Sequence, residues 1–267
     1  MDTIFNRLAF ICLLILLLSG CSRGPAKSHS ITVAGSTSVQ PFAEKLAEIY
    51  MEVHPDVIIN IQGGGSTAGI KACRQGAAEI GTSSRELKPE ESDLNRIVIA
   101  YDGIAIIVNP QNQVKDISVS QLQAIFSGTL KNWSQLGWVN KPIFFVTREE
   151  GSGTRDAFET LVMKKVEISP SALVEDSNGS VREIIATNPW AVGYISYGVV
   201  NKQVKALSVG GVPPTLETIK TRQYKLTRPF LFVNKSPCTP LAQKFIDFVL
   251  GGDGQRILEH EGLVGVR

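Results

Sequence analysis

The chain of 267 residues is poor in the residues that most catalysis and metal binding need. Histidine occurs only at His29, His54 and His260, and none of the three lies in a recognisable motif. No histidine–cysteine–carboxylate cluster has metal-ligand spacing, and no Gly-x-Ser-x-Gly elbow presents a serine nucleophile. A secreted hydrolase such as a phosphatase, and a metal centre, are disfavoured on these grounds. Charge of one sign is also lacking. The formal net charge is +2 with no run of five basic residues, so a polyanion such as nucleic acid is not indicated as a partner. At 43% hydrophobic and 19% charged, the composition is that of an ordinary globular protein.

The uninterrupted apolar run near the start, Leu8 to Leu18, is shorter than the roughly 20 residues a bilayer-spanning helix needs. It follows Arg7 and leads into Leu18-Ser19-Gly20-Cys21. That arrangement resembles a bacterial lipoprotein signal, with 1–20 removed and Cys21 lipidated. An ordinary signal peptide or a buried N-terminal helix are the alternatives. Residues 21–30 have no apolar periodicity and read as a flexible tether. Cys73 and Cys238 are then left as a disulfide or as two buried thiols, and spacing does not decide between them.

From residue 30 the pattern changes to strands alternating with helices, the mark of an α/β protein with a parallel sheet. Strands are expected at 30–35, 57–61, 78–81, 142–147 and 192–195. Helices are expected at 39–53, around 70–72, near 119–126, from Ser152 to about Val166, and near 240–250. The apolar stretch from Ile97 to Pro110 is long enough to leave one lobe and enter another, and 228–234 reads as the return strand. The division that follows is lobe 1 at 31–107 and 226–267, and lobe 2 at 108–225, joined by two crossings.

Three segments share one grammar of strand, glycine with hydroxyl residues, then helix. They are Gly35-Ser36-Thr37-Ser38, Gly65-Ser66-Thr67 and Gly151-Ser152-Gly153-Thr154. Free N–H groups and the dipole at a helix N-terminus favour an anion, glycine permits close approach, and hydroxyls add donors. Ser and Thr are equally at home as plain N-caps. Arg148 and Arg155 flank the third segment. Arg148 is the better candidate for an oxyanion contact, and a salt bridge to Glu149 or Glu150 is its alternative. Gly63 to Ala68 also fits a loose dinucleotide fingerprint, but the N-terminal signal argues against a cytoplasmic NAD enzyme. Ile70 after Gly69 excludes the lysine of a P-loop.

Four segments together carry a specific resemblance: Gly35 to Pro41, Gly81 to Leu87, Asp102 to Pro110, and Thr147 to Arg155. They resemble, in the same order, the periplasmic phosphate-binding proteins of ABC transporters. The resemblance implies a two-lobed type II periplasmic-binding-protein fold with a hinge of two crossing strands. It implies inorganic phosphate as ligand, ABC permease subunits as partners, no cofactor, and a monomer tethered outside the cytoplasm. Carried over by position, it places Ser36, Thr37, Ser38 and Ser66 on the ligand from one lobe, and Arg148, Ser152, Gly153 and Thr154 from the other. Ser84 stands where some members have an aspartate that accepts the proton of hydrogen phosphate. Asp102 is the candidate replacement, or else a turn residue before Gly103. Such an acceptor matters because phosphate carries a proton at neutral pH and sulfate does not. Binding of another oxyanion, sulfate or molybdate, and a sensing or adhesive lipoprotein without a transporter, are the alternatives.

Overall fold

The computed structural model describes residues 29–267, so the 1–20 leader, the Cys21 lipidation site and most of the tether lie outside the described residues. Strand β1 (His29–Gly35) begins inside the segment read as tether: His29 and Ser30 pair with Val57 and Ile58 of β2 (Val57–Gln62). Between them runs α1 (Gln40–Val53), with Phe42, Leu46 and Tyr50 buried at a four-residue spacing and Pro41 in its first turn. Helix α2 (Ser66–Gln75) ends on left-handed Gly76, and β3 (Ile80–Ser83) follows. The long β4 (Asn95–Val108) leaves this half. The second half holds β5 (Asp116–Ile117), α3 (Val119–Phe126), β6 (Phe144–Arg148), α4 (Gly153–Phe158), β7 (Leu173–Glu175), α5 (Asn178–Thr187) and β8 (Ala191–Ser196). It continues through β9 (Lys205–Ala206), β10 (Ser208–Val209) and α6 (Leu216–Lys220). Strand β11 (Thr227–Asn234) returns, and α7 (Pro240–Leu250) and α8 (Gly252–His260) close the chain.

Among the described residues, nine strands form one sheet in the order β2-β1-β3-β11-β4-β8-β6-β7, with β9 against β4. The strands that feed hydroxyl loops are parallel to their neighbours: β1 with β2 and β3, and β6 with β7 and β8. The sheet as a whole is mixed rather than parallel, because β11 runs antiparallel to both β3 and β4, and β4 antiparallel to β8. β4 is shared. Its first part, to Gly103, pairs with β11, and Ile104 to Val108 pair with β8.

The buried apolar residues divide at that point. Val33, Leu46, Ile99, Phe230 and Phe245 belong to one core, and Ile104, Trp133, Phe158, Tyr194 and Leu226 to the other. The changeover lies between Ala100 and Ile104 on the way out, and between Leu226 and Phe230 on the way back. Burying each large side chain of these cores contributes about 1.5–3 kcal/mol. The helix expected from Ser152 to Val166 is α-helical only to Phe158. It widens into a π turn at Glu159–Met163 and stops at Lys164, whose φ is 56°. Among the described residues no helix is long and apolar enough to cross a membrane. Cys73 and Cys238 are free thiols, the first buried against the Val233 carbonyl, and burial pushes both pKa values up.

Candidate anion site between the lobes

The hydroxyl loops meet because glycine lets them. A Cβ on Gly69 would lie 2.3 Å from the Ala34 carbonyl oxygen and 2.4 Å from the Gly35 Cα, so α2 packs directly on the end of β1. This brings the Ser36–Ser38 loop beside Ser66. From the other half, Gly153 sits so close that its Cβ would be 2.1 Å from Ser66 Oγ and 2.7 Å from Ser84 Oγ. The Thr67 N–H donates to the Gly151 carbonyl at 3.1 Å across the same gap.

Of the expected site residues, Thr37, Ser38, Ser66, Ser84, Arg148, Gly153 and Thr154 converge. Ser38 Oγ and Thr154 Oγ1 are 2.8 Å apart, and Arg148 Nη2 donates to Thr37 Oγ1 at 3.1 Å. The Ser84 N–H donates to Ser66 Oγ at 3.1 Å, with the two hydroxyls 3.5 Å apart. Ser36 and Ser152 are turned to their own loops. Ser36 Oγ accepts from the N–H groups of Ser38 and Val39, and Ser152 Oγ caps α4 by accepting from the Arg155 N–H.

Arg148 is 1% exposed. Its Nε and Nη2 are held by the Glu149 carboxylate and by the carbonyls of Glu175 and Asp176 at 2.9–3.1 Å. Its Nη1 is buried and has no hydrogen-bond partner among the described residues. A buried cationic donor without an acceptor is costly, so this edge of the fork is suited to an anion. The salt bridge to Glu149 and the open edge coexist. Arg155 instead donates to the Arg148 carbonyl and to Glu159.

Asp102 is not a turn residue; it lies within β4, fully buried. Its Oδ2 accepts from Arg228 Nε and Nη2 at 3.1 and 3.0 Å, and its Oδ1 from Ser196 Oγ and the Gly198 N–H at 2.9 and 3.4 Å. Burial pushes its carboxyl up, against the opposing pull of Arg228, Ser196 and Gly198. Burial likewise lowers Arg228, against the pull of Asp102.

Two residues at the site were not singled out from the sequence. Arg228 Nη2 donates to Ser38 Oγ at 3.3 Å and Nη1 to the Ser84 carbonyl at 3.3 Å. Asn178, the first residue of α5, donates from Nδ2 to Ser38 Oγ at 2.9 Å and to Thr37 Oγ1 at 3.4 Å. A lone arginine opening the apolar strand Phe230 to Val233 was a readable signal. Asn178-Gly179 has the sequence of a turn and was not. Among the described residues no group of three His, Cys, Asp or Glu could hold a metal ion.

Fold and site together define a two-lobed α/β binding protein with a hydroxyl-lined, cation-backed cleft, and a model of the PBP superfamily domain matches residues 22–253. The Bacillus subtilis phosphate-binding protein PstS is 35% identical over 255 residues, covering 93% of this chain and 85% of that protein. A Clostridium perfringens structure, described as a phosphate ABC transporter substrate-binding protein with bound phosphate, is 42% identical. It superposes with a TM-score of 0.87 over 89% of this chain and 100% of that one. An ABC-type phosphate transport receptor from Vibrio cholerae is 38% identical, with a TM-score of 0.74 over 88% and 99% of the two chains. The chain belongs to the PstS family of phosphate-binding proteins.

Proposed function

We propose that the protein binds inorganic phosphate between its lobes and delivers it to an ABC-type importer. The observation that carries this is the buried Arg148, whose Nη1 lacks a protein acceptor and whose Nη2 holds Thr37 of the opposite lobe. Thr37, Ser38 and Ser66 supply neutral donors from one lobe; Arg148, Gly153 and Thr154 supply charge, backbone and hydroxyl from the other. Ser84 completes the wall, and Ser36 and Ser152 hold the two loops in shape. Asp102 acts through Arg228 and Ser196. The lobes turn about β4 and β11, and closure is favoured by as much as the closed state binds phosphate better than the open one.

The relatives' names support the ligand and the importer. The Leu8–Leu18 run and Cys21 support an extracytoplasmic, lipid-anchored position. Titration calorimetry with phosphate, arsenate, sulfate and molybdate tests the reading. One phosphate per chain, bound more tightly than sulfate and molybdate, is expected. Tighter binding of either of those anions, or turnover of a chromogenic phosphate ester, overturns it.

A further inference from the structure

We infer that Asn178 is a positioning residue that fixes which way the site hydroxyls face, making Ser38 and Thr37 one-way donors to the bound anion. The inference rests on the phosphate reading of the site. It begins with the orientation of the amide. The Ser196 N–H lies 3.0 Å from Asn178 Oδ1, and a backbone N–H is only a donor, so Oδ1 must face it and Nδ2 must face the hydroxyls.

A hydroxyl has two acceptor positions and one proton. Ser38 Oγ receives Asn178 Nδ2 at 2.9 Å and Arg228 Nη2 at 3.3 Å. Thr37 Oγ1 receives Arg148 Nη2 at 3.1 Å and Asn178 Nδ2 at 3.4 Å. Amide and guanidinium nitrogens cannot accept, so both acceptor positions of each hydroxyl are taken and only its proton is left to offer. Ser38 must then be the donor in its 2.8 Å contact with Thr154 Oγ1, and a bound anion takes that proton in place of Thr154. Neither hydroxyl can accept the proton of a protonated phosphate oxygen. The Ser66–Ser84 side differs: Ser66 Oγ takes one backbone N–H, and among the described residues the Ser84 hydroxyl has Ser66 Oγ as its one hydrogen-bond neighbour, at 3.5 Å. Acceptor capacity therefore stays on that side, and the site discriminates between the two kinds of phosphate oxygen by position. Asn178 comes from the second half of the chain and the hydroxyls from the first, so the donors are set only when the lobes are together.

The test is a mutant cycle read by phosphate calorimetry, with thermal melting as a check on folding. Asn178→Ala should weaken phosphate binding about tenfold, the worth of one hydrogen bond. In a Thr37→Val/Ser38→Ala background the same change should move affinity less than about twofold, because the hydroxyls it orients are gone. Asn178→Asp keeps the acceptor for Ser196 but replaces the donors with a carboxylate oxygen that draws the hydroxyl protons to itself and repels the anion, so it should lose more than Asn178→Ala. Equal losses in both backgrounds, or wild-type affinity in Asn178→Asp, overturn the inference while leaving the phosphate reading intact. A wild-type protein that binds no phosphate overturns the phosphate reading itself, and this inference with it.

Discussion

Two buried arginines reach neighbouring hydroxyls from different parts of the chain, Arg148 to Thr37 and Arg228 to Ser38, and their surroundings are opposite. Arg228, on the return strand β11, faces Asp102 across the β4–β11 ladder and gives further N–H groups to the Ser84 carbonyl and to Ser38. Arg148, at the end of β6, is tied by Glu149 and two carbonyls but keeps Nη1 unmatched. Glu149 is itself 29% exposed, whereas the Asp102 side chain is 0% exposed. One guanidinium is charge-neutralised framework. The other leaves positive charge on offer inside the protein. A site that must hold a bare anion needs both: a rigid frame that carries no net charge, and a cation the frame has not already satisfied.

The sharpest way to break this contrast is through stability. Arg228→Met strands the buried Asp102 carboxylate, which should cost about 3–5 kcal/mol in a denaturant titration. The double variant Arg228→Met/Asp102→Leu should recover most of it. A single variant as stable as the wild type would mean that Asp102 is not held ionised by its partner. Arg148→Ala should behave in the reverse manner. Its fold should survive, since Glu149 can turn to water, but phosphate affinity should fall about 100-fold, the size of a lost charge-assisted hydrogen bond plus its charge. A folded variant within threefold of wild-type affinity would remove Arg148 from the ligand.

The outer rim carries a third arginine that sharpens the comparison by pH. Arg85 donates to both oxygens of Glu91, at 2.7 and 2.8 Å. Burial works against ionisation of Glu91, but the Arg85 fork, the Lys88 N–H and the two nearby cations outweigh it and hold the carboxyl below the ordinary range. The folded value is therefore lower than the unfolded one. The stability it contributes is present above the ordinary glutamate value of about 4.3 and is lost as pH falls through the lowered folded value. Glu91→Gln should cost about 2 kcal/mol at pH 7 and progressively less toward pH 3. Parallel stability profiles for the two proteins would refute the assignment.

How much of this could be read in advance depended on whether the signal was local. Helices α3 and α7 lie where the sequence places them, because Ser118 and Thr239 cap apolar spacing that runs without interruption. The glycine–hydroxyl loops were legible for the same reason, since loop and following helix are adjacent in sequence. Helix α5 was missed because Asn178-Gly179-Ser180 has turn chemistry, and only the Ser177 cap and the spacing of Val181 and Ile185 argue for a helix. Arg228 and Asn178 owe their places to long-range register. One depends on β11 lying between β3 and β4, the other on α5 beginning against the end of β8. No local pattern encodes Asn178, and the lone Arg228 at the head of an apolar strand announces a buried partner without naming it. Asp102 showed the limit from the other side: a carboxylate in an apolar strand announces a partner but does not say which.

The smallest expected effect lies across the mouth of the cleft. Asp156 Oδ2 is 2.8 Å from Arg85 Nε and 3.4 Å from Lys88 Nζ, joining α4 of one half to the β3–β4 connection of the other. The Arg85 contact is close but off the hydrogen-bond line, since neither Nε nor Oδ2 has an aligned partner. Asp156 is 24% exposed, so solvent screens the pair and it is worth no more than about 1 kcal/mol. That energy exists only with the lobes together, so by linkage it enters phosphate affinity in full. Asp156→Asn should weaken phosphate binding up to about fivefold at 50 mM salt. In 1 M salt the Debye length shrinks to about 3 Å, and the difference from wild type should largely disappear. A loss that is the same at both salt concentrations would show that Asp156 acts through packing rather than charge, leaving Arg148 as the one arginine whose electrostatics the ligand feels across the gap.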